Sequence, residues 1–221
     1  MLISPSLLAA DFMHLDKEIE MINNSQCDWL HIDVMDGDFV PNISYGFSVV
    51  EPLSKVCRKP LDVHYMINHP ERYIRRTAEL GAMMMNVHYE ACSSYCLYVI
   101  RDIHAAGMKA GVTINPGTPV SAVEPYLNAG DEQSSVDMVL LMGVDPGFGG
   151  QKFSEATYEK VRELRKMIER SGRHVLIEVD GGVNGTNAPL LAEAGADILV
   201  SGNYIFKSPD PQQVIAELKR L

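Results

Sequence analysis

The sequence predicts a single-domain α/β fold, a closed (β/α)8 barrel of the TIM type spanning residues 1–221. Three observations carry it. Short apolar runs rich in β-branched residues alternate with longer amphipathic segments along the whole chain. These runs number eight, the count that closes a parallel barrel. One local phrase, an Ala-rich helix end followed by Gly and then a strand, recurs at Ala78–Ala82, Ala105–Met108 and Ala192–Ala196. Gly at such a point supplies the left-handed helix cap of an αβ turn.

In chain order the predicted strands are Leu2–Ser4, Trp29–Met35, Leu61–Met66, Met83–His88, Lys109–Ile114, Met138–Met142, Val175–Val179 and Ile198–Val200. Helical segments are expected at His14–Asn23, Phe47–Lys55, Pro70–Leu80, Ser94–Ala106, Val120–Leu127, Glu155–Ser171, Ala188–Ala194 and Pro211–Leu221. In the sixth, Val161, Leu164 and Ile168 recur at helical spacing. The polar stretch Asn128–Ser135 reads as an exposed surface loop, not a domain linker.

The totals narrow the function classes. At 221 residues and 46% hydrophobic, the chain can bury one sizeable core. A net charge of −10 argues against nucleic acid or an anionic membrane surface as partner. No apolar run approaches the roughly 18 residues of a membrane span, and Met1–Pro5 lacks a basic region followed by an apolar one. A cytoplasmic protein is expected. Cys27, Cys57, Cys92 and Cys96 show no disulfide spacing, so reduced thiols are expected, and Cys92 and Cys96 lack the second pair that a metal site would need.

In a parallel barrel the functional groups collect at the C-terminal ends of strands. On the second strand His31, Asp33 and Met35 share one face, because side chains alternate. A buried carboxylate beside an imidazole is costly unless paired or holding a cation. The third strand adds His64 and the seventh ends at Asp180. Each taken singly would be an ordinary core histidine or helix-capping aspartate. Four together at strand ends read as a site, and two imidazoles with two carboxylates suit a divalent ion such as Zn, Fe(II), Mn or Co. His88 and Glu90 read equally as supporting or surface groups. Asp36, Asp38 and Asp62 read as capping or loop carboxylates.

Three strand ends are rich in glycine: Val144–Gly150, Asp180–Gly182 and Ser201–Asn203. Such loops turn backbone N–H groups toward an anion, which lets an acidic chain hold a phosphate without a basic patch. Gly147-Phe148-Gly149-Gly150 is not the G-x-G-x-x-G fingerprint, so no nucleotide cofactor is expected. Met35, Met66 and Met142 end strands that carry the site, and read as core fillers or as a dry lid over a reactive intermediate.

Over nearly its whole length the chain resembles the ribulose-phosphate 3-epimerase family. The motifs are Ser4-Pro5-Ser6-Leu7-Leu8-Ala9-Ala10-Asp11-Phe12, His31-Ile32-Asp33-Val34-Met35-Asp36-Gly37-Asp38-Phe39-Val40-Pro41-Asn42, Leu61–His64, Asn115–Pro119, Pro146–Gln151 and Val179–Gly182. The resemblance implies a barrel of the ribulose-phosphate-binding type, metal ligands His31, Asp33, His64 and Asp180, and Asp33 with Asp180 as the acid/base pair. It implies a substrate site at Ser6, His64, Gly147, Phe148, Gly149, Gly150, Asp180, Gly181, Gly182, Gly202 and Asn203, and a homo-oligomer. The departures are Tyr65 where the family usually has Leu, Asn203 where it typically has Ser, the atypical Met83-Met84-Met85, and a longer loop near Gly130–Ser135.

The reaction so implied is epimerisation at C3 of a ketose phosphate, D-ribulose 5-phosphate to D-xylulose 5-phosphate in the pentose phosphate pathway, by two-base proton transfer through a metal-stabilised enediolate. D-allulose-6-phosphate 3-epimerase is the alternative, since its site is nearly the same. A non-enzymatic phosphate-binding barrel acting as sensor or scaffold is a further one. A decarboxylase of the related barrels would need Asp-x-Lys-x-x-Asp, and here His64 stands where that array has Lys.

Overall fold

A computed structural model describes residues 1–221. Eight parallel strands form one sheet: β1 (Leu2–Pro5), β2 (Leu30–Met35), β3 (Leu61–Met66), β4 (Met84–His88), β5 (Lys109–Ile114), β6 (Met138–Met142), β7 (Leu176–Asp180) and β8 (Ile198–Ser201). Their order, β1-β8-β7-β6-β5-β4-β3-β2, leaves β1 and β2 to meet. They do so through a parallel bridge between Ser6 and His31, and through the N–H groups of Asp28 and Trp29 donated to the Ile3 carbonyl. Every predicted strand is present, with ends shifted by at most one residue.

The helices are α1 (Leu15–Asn24), α2 (Phe47–Ser54), α3 (Ile74–Glu79), α4 (Tyr89–Cys92), α5 (Cys96–Ala105), α6 (Glu124–Leu127), α7 (Ala156–Ser171), α8 (Ala188–Ala194), α9 (Asn203–Phe206) and α10 (Pro211–Leu218). Two expected helices begin as 3-10 turns, Pro70–Tyr73 and Val120–Val123. The sequence reading missed α4 and α9, one-turn helices directly after β4 and β8, because four residues are too few to show a helical period. Gly81, Gly107 and Gly195 all adopt positive φ, as the repeated cap phrase requires.

Alternation divides the core in two. Outward residues such as Ile32, Val63, Val87, Val112, Val139, Ile177 and Leu199 join the helices in one large apolar cluster. Inward residues form layers along the barrel axis. Met84, Met138 and Ile198 close the N-terminal end, and Met35, Val40 and Met66 make a small cluster at the C-terminal end. Polar groups occupy the layers between. Tyr65 faces outward, its hydroxyl 2.6 Å from Thr77 Oγ1, so this departure from the family lies away from the barrel interior. The Asn128–Ser135 loop carries a 3-10 turn at Glu132–Ser134 and packs on α5 through Arg101. It connects a helix to a strand, which places it at the end of the barrel opposite the strand C-termini.

Candidate active site

Because β2 meets β1 only briefly, side chains complete its hydrogen bonding. The Asp33 N–H donates to the Tyr45 hydroxyl at 3.1 Å, the Met35 N–H to Ser44 Oγ at 3.0 Å, and Ser44 Oγ donates to the Asp33 carbonyl at 2.6 Å. The segment after the strand therefore holds its end rigid. Register does the rest: Asp33 pairs with His64 and His31 with Asp62 across β2 and β3, so all four point inward in two layers.

In the upper layer His31 Nε2 and His64 Nδ1 lie 3.3 Å apart, and each is 3.3–3.4 Å from Asp33 Oδ1 and 3.9 Å from Asp180 Oδ2. All four ligand atoms fall within 4.8 Å of one another. Bonds of about 2.05 Å in a tetrahedral site put donors about 3.3 Å apart, so this cluster could hold a divalent ion with only a small contraction on the Asp180 side. The donor chemistry fits as well. His31 Nδ1 faces Asp62 Oδ2 at 2.6 Å, which puts a ring proton there and leaves Nε2 as the nitrogen that can serve as a ligand at the cluster.

Electrostatics separates the two carboxylates. Burial raises the pKa of Asp33, but His31 first, and His64 beside it, outweigh this and hold the group well below the usual range. Asp180 is pushed up to about 7 by burial and by the Asp33 charge beside it. Burial opposes charge on His31 too, and the Asp33 and Asp62 carboxylates overcome it. His88 is lowered to about 4, chiefly by burial, and is neutral at pH 7.

The lower layer corrects the sequence reading of Asp62. It is fully buried, and besides His31 it accepts from Asn86 Nδ2 at 2.5 Å. Glu178, also fully buried and missed from sequence, lies beside Asp62 and His31 with both oxygens unpartnered. Burial and the Asp62 charge push it well above the ordinary carboxylate range, which favours its neutral form. The signal was available: Asp62 has the parity of His64, and Glu178 that of Asp180. Asp36, in contrast, is the loop carboxylate expected, accepting from the N–H groups of Asp38, Phe39 and Asn68.

Over the cluster opens a cleft of about 420 Å³. Its floor includes Asp33 and Asp180, and Met35, Met66 and Met142 stand on its wall. The three glycine-rich strand ends reach the same cleft: Gly147 to Gly150, Gly181, Gly182, Gly202 and Asn203 all line it, and Phe148 is 53% exposed. At Gly181, with φ +104°, a Cβ would sit 2.5 Å from Val144 Cγ2, so only glycine permits that turn. Asn42 Nδ2 donates to the Gly147 carbonyl at 2.7 Å, tying the segment after β2 to the glycine loop after β6. Ser6 lines the cleft and donates to Asp33 Oδ2 at 2.6 Å. His64, expected among the substrate contacts, is fully buried beneath the cleft and does not line it.

One lining residue escaped the sequence reading. Lys207 is the only lysine or arginine on the cleft wall, one turn beyond Asn203, with its N–H bonded to the Asn203 carbonyl. A lone Lys after a missed helix carries no periodic signal.

A family model described as the ribulose-phosphate 3 epimerase family matches residues 2–206. A Bacillus subtilis protein named ribulose-phosphate 3-epimerase is 45% identical over 98% of this chain and 97% of its own length. A chloroplastic ribulose-5-phosphate-3-epimerase of Arabidopsis thaliana is 44% identical over 99% of this chain and 76% of its own. Among solved structures, KGPDC from Streptococcus mutans in complex with D-R5P superposes with a TM-score of 0.74 at 14% identity, covering 99% of this chain and 95% of that one. A 3-hexulose-6-phosphate synthase superposes with a TM-score of 0.68 at 18% identity, covering 100% and 99%. These distant likenesses concern the barrel alone. The chain belongs to the ribulose-phosphate 3-epimerase family and is an enzyme of that family.

Proposed function

We propose that this member of the ribulose-phosphate 3-epimerase family interconverts D-ribulose 5-phosphate and D-xylulose 5-phosphate by proton transfer at C3. The observation that carries the reading is the meeting of two carboxylates of unequal proton affinity with two imidazoles, under a cleft walled by three glycine-rich loops.

His31, Asp33, His64 and Asp180 are the residues that would hold a divalent cation. When bound, such an ion would polarise the ketone of the substrate and offset the negative charge that develops on it. The protein's own groups then account for the stereochemistry. Inversion needs one group to remove the C3 proton and another to return one to the opposite face, since a single base would restore the original configuration. Asp33, held ionised, is suited to take the proton, and Asp180, near 7, to give one. The reverse reaction exchanges their roles.

Ser6 donates to Asp33 Oδ2 while Oδ1 faces His31 and His64, so contacts on both oxygens fix the plane of the carboxylate at the cleft floor. The backbone N–H groups of the loops at Gly147–Gly150, Gly181–Gly182 and Gly202–Asn203 would receive the phosphate, with Lys207 adding the one positive side chain. Met35, Met66 and Met142 would exclude water from the enediolate. Asn203 keeps a backbone N–H for this purpose, and its side-chain amide reaches toward Gly150. The reading includes one catalytic domain over residues 1–221, a cytoplasmic setting and a homo-oligomer. No helix is long and apolar enough to cross a membrane.

The allulose 6-phosphate alternative is not favoured, because the curated relatives at 44–45% identity carry the ribulose-phosphate name. Incubation with each sugar phosphate in D₂O separates the readings. Deuterium should enter C3 of ribulose 5-phosphate at the rate of turnover and enter allulose 6-phosphate far more slowly. No incorporation into either would overturn the proposal.

A further inference from the structure

A chain of buried and half-buried polar groups runs from the cluster through the segment after β4 to the loop after β5. His64 Nε2 and His88 Nε2 lie 2.9 Å apart, with their rings stacked at 5.0 Å and 19°. His88 Nδ1 faces Glu90 Oε2 at 3.4 Å. The other Glu90 oxygen accepts from the Asn115 N–H at 2.9 Å and from the Thr118 hydroxyl. Lys160 in turn donates to the carbonyls of Asn115 and Thr118, which seats the loop that holds Glu90. His88 is fully buried and Phe39 covers its ring at 4.8 Å.

With His64 Nδ1 given over to a cation and so bearing no proton, proton counting fixes the direction of every bond in this chain. Two neutral imidazole nitrogens at 2.9 Å share one hydrogen, so one is donor and the other acceptor. Glu90, ionised, can only accept, so His88 carries its proton on Nδ1 and presents a bare Nε2. His64 must then carry its proton on Nε2 and leave Nδ1 bare. That bare nitrogen is the one 3.3 Å from Asp33 Oδ1 and His31 Nε2. His31 likewise directs its Nδ1 proton to Asp62, which makes Nε2 the nitrogen it presents to the cluster.

We propose that Glu90 is a positioning residue which, acting through His88, locks His64 in the tautomer whose Nδ1 is free to hold a divalent cation. The inference rests on the reading of His31, Asp33, His64 and Asp180 as a cation site. It assigns to the segment after β4 a part in that site, although neither His88 nor Glu90 lines the cleft.

Glu90→Gln isolates the effect. Its remaining oxygen still accepts from Asn115 and Thr118, while its NH₂ now donates to His88 Nδ1. His88 must then protonate Nε2, and His64 is forced to carry its proton on Nδ1, toward the cluster. Co(II) binding, measured by calorimetry with a competing chelator on the full-length chain, should weaken by roughly 10- to 100-fold. Thr118→Ala, which loosens the loop without altering the proton order, should stay within about twofold of wild type. Long-range ¹H–¹⁵N spectra of the metal-free wild type should show His88 protonated on Nδ1 and His64 on Nε2.

Failure of the wild type to bind Co(II) would remove the cation-site reading itself. Tight wild-type binding with Glu90→Gln unchanged would overturn the role of Glu90 alone, as would equal losses in Glu90→Gln and Thr118→Ala. The opposite tautomers in the wild-type spectra would overturn it whatever the variants do.

Discussion

The Ser6 hydroxyl donates to Asp33 Oδ2 at 2.6 Å, joining the end of the first strand to the second where the sheet closes most thinly. A hydrogen bond to a charged group is worth about 1.5–3 kcal/mol. Ser6→Ala should therefore lower kcat by roughly 10- to 100-fold while the protein stays folded. Steady-state kinetics with a far-ultraviolet spectrum checks it, and unchanged kcat would show that this contact does not orient the base.

Asp33→Asn and Asp180→Asn each leave a side chain of the same shape that cannot take up a proton. Activity should fall about 10³-fold in either variant, the scale of a lost general acid or base. Exchange at C3 distinguishes them from misfolded protein: wild type in D₂O should label the substrate, and neither variant should. Near-native turnover in either one would remove that residue from the proton pathway.

Exhaustive chelation should abolish activity, and a divalent ion of the Zn, Fe(II), Mn or Co group should restore it. Stability gives an independent measure. A ligand at 100 times its Kd adds about 2.7 kcal/mol to the folded state. For a chain of this size that corresponds to a rise of about 5–10 °C in Tm. Equal Tm values with and without the ion would exclude tight binding.

Lys207 is the one cationic side chain on the cleft wall and lies outside the carboxylate cluster. Lys207→Ala should raise KM by roughly five- to tenfold and leave kcat within about twofold, the pattern of lost uniform binding. Inorganic phosphate as a competitive inhibitor should weaken in parallel. A fall in kcat at unchanged KM would place Lys207 elsewhere in the reaction.

A stability test away from the site uses His104, whose ring faces Asp137 Oδ2 at 2.7 Å and the Gln133 carbonyl at 2.8 Å. Both are acceptors, so only the doubly protonated ring satisfies both, and the bond to Asp137 raises the His104 pKa above its ordinary value. A group raised on folding stabilises fully below its unfolded pKa, about 6.5, and that gain disappears as pH rises through the folded value. The Tm gap between wild type and His104→Gln should therefore be larger at pH 5.5 than at pH 9. Asp137 is lowered, so its own contribution is lost only as pH falls below the usual carboxylate range, outside this window.

Much of this was legible in the residues. Apolar runs and amphipathic spacing are local properties, so the eight strands could be placed to within one residue and the longer helices to within about three. Parity on a strand is equally local, and it sends His31, Asp33, His64 and Asp180 inward, while the rule that barrels function at strand C-termini gathers them at one end. The glycine-rich strand ends were legible as turns, and Gly147, Gly150, Gly181 and Gly182 do adopt positive φ.

What only the tertiary structure decided depends on which strands stand side by side and how far each is shifted. The pairing of His31 with Asp62 across β2 and β3 turns an expected loop carboxylate into the partner that orients a ligand. The closeness of Glu178 to both follows from the barrel closing on itself, not from any spacing in the chain. Tyr65 is turned away from the interior by the same alternation that turns His64 into it, and the 128–135 loop lies at the wrong end to touch substrate. Lys207 reaches the cleft only because a one-turn helix after β8 carries it there. A sequence specifies each strand's two faces, but which groups become neighbours is a property of register, and register is set by all eight strands together.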